Sequence, residues 1–318
     1  MSLLPRRMMV PPADRDEANR LRDILIGLKE SHDLLPGLAG EVPIEVLVGQ
    51  LIESQRRARY IQRLRSMQLG PAALNGTGSN FDPLKAAILK QRGGDHDEAC
   101  WLVLLSTHFG RNRRTGWQLA GDFYGRLGHG DLWDWPSTSA DVVEVRAWLE
   151  ANRSALRARG GGFGNHRKYE SLNAWERTGT GQVLATYVAW VGDGTHAERF
   201  AEIAPDALSP RERFASLYRS LDSVSRFGRT ARFDFLSTLG KIGLVELEAD
   251  SAHLSGATGP LAGSRLLLDG SRRSRSRVRD LEARLSPVQQ ALDVSFDVLE
   301  DALCNWQKSP QDFMPFRG

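Results

Sequence analysis

The chain has 318 residues, 41% of them apolar and 25% charged, which suits a soluble globular protein with a sizeable core. Its 42 basic and 39 acidic residues leave a net charge of +3, a mild pointer to an anionic partner. Two cysteines, Cys100 and Cys304, exclude a disulfide framework and a four-cysteine zinc or iron–sulfur site. No apolar run approaches the roughly 18 residues of a membrane span, and the N-terminus lacks the apolar stretch of a secretory signal. The expected location is therefore a reducing cytoplasm, with both thiols reduced.

Residues 1–18, with Pro5, Pro11 and Pro12, read as a loose arm. Leu21, Ile24, Leu25 and Leu28 recur at helical spacing over Arg20 to Glu30, and Pro36-Gly37 closes that helix. Ile44 to Met67 predicts a longer helix whose second face carries Arg56, Arg57, Arg59, Arg63 and Arg65, either solvated or turned to phosphate. Residues 70–83 read as a loop, and Asp82 is placed to cap a helix beginning at Pro83. Asp95 to Phe109 is a strongly apolar helix that runs into Thr107-His108-Phe109-Gly110-Arg111. Another helix covers Trp117 to Leu127, followed by an aromatic turn from Leu132 to Pro136. Ser137 or Ser139 is expected to cap the helix carrying Val142, Val145, Trp148 and Leu149.

Thr180 to Val191 and Pro210 to Phe227 predict further helices, and one from Phe233 leads to a Gly240-Lys241-Ile242-Gly243 turn. The glycine-rich Leu254 to Gly263 exposes backbone N–H groups of the kind that bind phosphate at a helix N-terminus, or serves as a plain helix–helix corner. Arg272, Arg273, Arg275, Arg277 and Arg279 alternate with serine in a basic loop, and Ser286-Pro287 is expected to start the last helix. A polar-aromatic tail from Cys304 to Pro310 ends in Phe316-Arg317-Gly318. With no alternating strand pattern, the fold class is mostly α: residues 1–40 form an arm and first helix, and 41–318 one main domain.

The chemistry concentrates between Gly162 and Lys241. This stretch opens with Phe163-Gly164-Asn165-His166-Arg167-Lys168-Tyr169-Glu170 and closes with Arg226-Phe227-Gly228-Arg229-Thr230-Ala231-Arg232-Phe233-Asp234. Both ends set cations beside glycine and an aromatic ring. Glycine admits a ligand close to the backbone, arginine and lysine donate to phosphate, and a ring offers a face to a base. The competing reading is structural, with Arg229 and Arg232 paired to Asp234 or Glu170 and with Tyr169 and Phe227 in the core.

These two blocks, together with Thr107 to Gly110, Gly256-Ala257-Thr258-Gly259-Pro260 and Glu300 to Lys308, closely resemble the alpha-glutamyl/putrescinyl thymine pyrophosphorylase family over roughly residues 40–318. Phage members of that family are also described as amino acid:DNA transferases. The resemblance implies a helical fold related to helix-hairpin-helix DNA glycosylases, with Gly240–Gly243 or Gly256–Gly263 as the hairpin on the DNA backbone. It further implies that the substrate is phage DNA carrying a pyrophosphorylated 5-hydroxymethyluracil. A small amine, whether glycine, glutamate or putrescine, displaces pyrophosphate to give a hypermodified thymine. No cofactor beyond that amine is implied, a metal requirement stays open, and a phage-encoded enzyme would work in the host cytoplasm.

Pyrophosphate departure needs charge neutralised, a duplex base must be flipped out, and the amine must lose a proton to attack. The catalytic candidates are accordingly His108, His166, Asp234 and Asp301. Arg167, Lys168, Arg226, Arg229, Arg232 and Lys241 are candidates for pyrophosphate and DNA phosphates. Asn165, Tyr169, Asn305 and Gln307 are candidates for reading the base. Addition of Cys304 to C6 of uracil is a further variant, set against a buried structural thiol. Two rivals are a glycosylase that uses Asp269 or Lys241 and a non-catalytic DNA-binding protein.

Overall fold

The computed structural model describes residues 10–32, 35–76, 78 and 80–315. Pro5 of the arm and the terminal Phe316-Arg317-Gly318 lie outside the described residues. Among those described, fourteen α-helices and short 3-10 turns make up the fold, with no strand beyond an isolated bridge between Asn112 and Gly116. The protein is mostly α, as its periodicity predicts. The chain divides into two compact units, one of residues Met1–Tyr60 with Ala249–Arg317 and the other of Ile61–Glu248.

In chain order the first unit supplies α1 (Arg15–His32) and α2 (Glu41–Leu64), whose end belongs to the second unit. The second unit holds α3 (Pro83–Arg92), α4 (His96–Phe109), α5 (Gln118–Tyr124), α6 (Trp135–Ala140) and α7 (Val142–Ala158). It continues through α8 (Thr180–Val191), α9 (His196–Ile203), α10 (Pro210–Ser220) and α11 (Arg229–Ile242). The first unit then closes with α12 (Gly259–Asp269), α13 (Val278–Leu292) and α14 (Phe296–Trp306).

In the second unit α4 is the hub. Every residue from Glu98 to Phe109 is buried, and α3, α5, α6, α9 and α11 all pack on it. A helix apolar on all sides is stable only when surrounded, which is what the run Ala99 to Leu105 dictates. Each end of such a helix leaves polar groups to satisfy. Asp95 accepts from the Glu98 N–H at the start. Glu98, fully buried, accepts from the Tyr124 hydroxyl at 2.6 Å and the Trp135 N–H at 2.5 Å. Burial lifts this carboxyl to about 7 even against those two donors. The first unit is built around α12, which packs on α13 and α14. A side chain at Gly263 would stand 2.4 Å from the Leu303 carbonyl oxygen, so this glycine sets the closeness of α12 and α14.

Several predicted boundaries move. Helix α1 begins at Arg15, inside the supposed arm, after a 3-10 turn from Pro12 to Asp14. Neither Ser137 nor Ser139 caps the helix of Val142: Asp141 accepts from the Glu144 N–H, and Asp134 caps α6. Ser137 instead lies within α6, because a carboxylate one helix earlier takes the capping position. The helix expected from Phe233 starts at Arg229, and Gly240 and Lys241 belong to it, with Gly243 as its left-handed C-terminal cap (φ +76°). Pro287 lies inside α13 rather than opening the final helix. α13 and α14 are separated at Asp293, held at φ 51°, which periodicity alone does not register. The Asp82 cap is as expected, its carboxylate accepting from Leu84 and Lys85 N–H at 3.1 and 3.2 Å.

Candidate functional site

The C-terminus of α4 brings the sequence blocks together. Gly110 leaves the helix at φ +64°, a conformation natural to glycine, and lies back to back with Gly164: a Cβ on Gly164 would fall 2.8 Å from the Gly110 carbonyl carbon. The Gly164 N–H donates to the Phe109 carbonyl at 2.8 Å. Arg167, buried at 9% exposure, donates from Nε to the Thr107 carbonyl at 2.6 Å and from Nη2 to Asp234 Oδ2 at 3.2 Å. A guanidinium on the last-turn carbonyls satisfies orphan acceptors and complements the negative end of the helix dipole.

Residues 164–180 therefore form a loop pinned at both ends to α4. At the far end His108 Nε2 lies 2.9 Å from Thr180 Oγ1, and that hydroxyl donates to the Ser171 carbonyl at 2.8 Å. Because the hydroxyl proton is spent on Ser171, the imidazole must be the donor, which fixes the proton on Nε2. Burial, reinforced by the positive charges of Arg167 and Arg226, pushes His108 down to about 3 and keeps it neutral. Its place among Phe109, Phe163 and Thr180 makes it a strut of the loop.

The block at residues 226–234 meets the same loop. Arg226 sits at φ 60°, where a non-glycine residue is strained by about 1 kcal/mol or more. Its fork grips Glu170 at 3.1 and 3.2 Å and reaches the Tyr169 carbonyl at 3.4 Å. Next to it, the Ser225 hydroxyl donates to the Arg177 carbonyl at 2.9 Å. Phe227 is buried against Phe235, which anchors the turn into α11. Gly228 is the N-cap of α11 and offers no side-chain cap, and Arg229 and Thr230 open the helix.

The predicted cations divide by environment. Arg167, Arg226 and Arg232 are held in ion pairs with Asp234, Glu170 and Asp222 respectively. Of the structural reading, Arg232 is ion-paired but with Asp222, Phe227 is buried, and Tyr169 is exposed rather than in the core. Lys168 is exposed and lies over the Tyr169 ring at 5.0 Å; Arg229 lies over Phe233 at 4.7 Å. Asn165 and His166 are exposed on the short 3-10 turn of the loop. Asp234 is 47% exposed, and its one hydrogen bond among the described residues is to Arg167. Lys241 is seven residues further along α11, hence on the same face as Asp234. The chain leaving Gly110 also forms part of a polar cavity of about 540 Å³ in the same unit, lined by Lys85, Arg111, Thr115, Asp122 and Arg159 among others.

Asp301, Asn305 and Gln307 belong to the first unit. Asp301 Oδ2 accepts from Ser54 Oγ at 2.8 Å and from Arg57, while Asn305 Nδ2 donates to Oδ1 at 3.0 Å. Lys308 donates to Asn305 Oδ1 at 2.9 Å, and Gln307 Nε2 donates to the Cys304 carbonyl at 3.3 Å. A Cβ on Gly259, the first residue of α12, would fall 2.5 Å from Cys304 Sγ. Asp269, the glycosylase alternative, is engaged by Arg284 at 2.6 Å and by Ser274. No three His, Cys, Asp or Glu side chains converge as a metal set among the described residues. Sequence reasoning overlooked Thr180 and Arg146, whose contacts join residues far apart in the chain and leave no local pattern.

In this all-α chain the polar-aromatic loop is pinned to α4 and tied to the turn that leads into α11. Comparison with known families matches residues 42–318 to the alpha-glutamyl/putrescinyl thymine pyrophosphorylase family, clade 3. The chain belongs to that family, whose name places it in thymine hypermodification with a pyrophosphorylase-type activity. Comparisons with curated proteins and with solved structures gave no match.

Proposed function

We propose that the protein is a DNA base-modifying transferase that replaces the pyrophosphate of 5-pyrophosphoryloxymethyluracil with an amine. The observation that carries this reading is the meeting of the 164–180 loop with residues 225–234. It sets exposed Asn165, His166, Lys168 and Tyr169 near the N-terminus of α11 and the half-exposed carboxylate of Asp234. The family match supports the same chemistry.

The roles follow from the environments. The N-terminus of α11, with Arg229 and Lys168, receives the leaving pyrophosphate, since a helix N-terminus and flanking cations neutralise the charge that develops as the C–O bond breaks. Arg226 and Arg167 act mainly by holding that surface in place. The amine lone pair forms the new C–N bond at the 5-methylene, the C–O electron pair leaves with pyrophosphate, and the amine proton passes to Asp234. His108 is disfavoured as that acceptor by its burial and its depressed pKa. Asn165 and Tyr169 contact the extruded base, while Asp301, Asn305 and Gln307 serve the packing of the first unit.

Nucleoside mass spectrometry tests this reading. The protein is incubated with DNA bearing 5-pyrophosphoryloxymethyluracil and a pool of glycine, glutamate and putrescine. The expected outcome is a nucleoside with the mass of one amine adduct, with pyrophosphate released in equal amount. Abasic sites in place of an adduct would establish a glycosylase. Bound but unaltered DNA with every donor would leave a binding protein.

A further inference from the structure

The loop that carries the proposed site has a second exposed ring. Tyr169 is 80% and Trp175 50% exposed, and they are the two exposed aromatic side chains of the second unit among the described residues. Each has a cation on its face: Lys168 Nζ lies 5.0 Å from the Tyr169 ring, and the Arg146 guanidinium 4.4 Å from the Trp175 ring. Arg146 is itself fixed by a 2.9 Å hydrogen bond to the Ala174 carbonyl.

The backbone beneath the rings is held from several sides. Arg167 and Thr180 tie the loop ends to α4. Inside the loop, the Thr180 and Gly181 N–H groups donate to the Ser171 and Asn173 carbonyls at 2.9 and 3.0 Å. Two consecutive residues then hold both ring-bearing stretches, Arg226 through the Tyr169 carbonyl and Glu170, and Ser225 through the Arg177 carbonyl. Both rings are thus carried by one braced loop. Exposing large rings to water on a rigid frame forgoes roughly 1.5–3 kcal/mol of burial each, which points to a ligand that covers them.

We propose that Tyr169 and Trp175 form a stacking platform for unpaired nucleotides, so that the protein binds its DNA as a single or locally opened strand. Exposed rings that each carry a cation, Lys168 or Arg146, on one face match the alternation of base and phosphate along such a strand. Bases paired inside a duplex present edges rather than faces, and rings on a fixed loop cannot stack on them. This rests on the DNA reading above and extends it to the form of the strand.

The test uses the full chain and fluorescence anisotropy of a labelled thymidine oligomer and of a blunt duplex of equal length, without catalysis. The expected result is tighter binding of the single strand, weakened roughly 5- to 150-fold by Tyr169→Ala or Trp175→Ala, with the duplex little changed. Tyr169→Phe and Trp175→Phe keep a ring and are expected to keep the affinity. Thermal melts of each variant verify folding. Equal affinity for the two DNA forms, alanine variants that bind undiminished, or phenylalanine variants as weak as alanine would each overturn the platform and leave the DNA reading intact. Failure of the unaltered protein to bind either DNA would overturn both.

Discussion

Two carboxylates, Asp234 and Asp301, each face an arginine, and in the proposed function they do different work. Around Asp234 the cation is the buried partner: Arg167 is spent inward on the Thr107 carbonyl, and the carboxylate stands 47% exposed with one hydrogen bond among the described residues. Around Asp301 both oxygens are occupied, by Ser54, Arg57 and Asn305, and Asn305 is in turn held by Lys308. A proton acceptor needs an open lone pair directed at a ligand, while a saturated carboxylate is a brace. The residue types are the same; the number of donors already satisfied separates them.

The contrast is broken most directly by paired substitutions. Asp234→Asn is expected to lower single-turnover transfer by about 10²–10⁴-fold, the usual scale for losing a general base, while DNA binding persists. Asp301→Asn is expected to leave turnover within a few-fold and cost about 1 kcal/mol of stability, since the pair it weakens is part-exposed. Equal kinetic losses in both, read by nucleoside mass spectrometry, would erase the distinction.

Next in size is Arg167→Gln. It leaves the Thr107 carbonyl short of its donor in a buried setting, so denaturant unfolding should show a loss of about 2 kcal/mol. Gly164→Ala should cost about 1–3 kcal/mol, because its methyl group would meet backbone on Gly110 with no flexible side chain to give way. A melt within a degree of the unaltered protein would show that the loop is not seated on α4 as described.

The finest test is of pH. His108 has its folded pKa lowered to about 3 from an ordinary 6.5, so its contribution is complete above pH 6.5. As pH falls below 6.5 the unfolded chain takes up a proton that the folded one refuses, and stability is lost progressively down to about pH 3. The stability difference between the unaltered protein and His108→Gln should therefore shrink by at most about 1.4 kcal/mol per pH unit over that window. A constant difference would mean that the imidazole is not held neutral.

Much of this was legible in the chain itself. The apolar run of α4, the Asp82 cap and the Thr180–Val191 helix follow from local pattern, because a helix and its cap are decided within a few residues. The two polar-aromatic blocks, alike in composition and placed around α8, marked the stretch on which the proposed function rests. The partners of each charge were not legible. Arg226 grips Glu170 across 56 residues and Arg167 reaches Thr107 across 60, and no spacing rule relates residues so far apart. The break between α13 and α14 was also hidden, since an apolar stripe continues in phase through a left-handed Asp293. Local sequence determined which segments are helical and which residue types are available. Tertiary packing alone decided which groups are satisfied and which stay open, because burial and donor counts are sums over neighbours that the chain brings together only when folded.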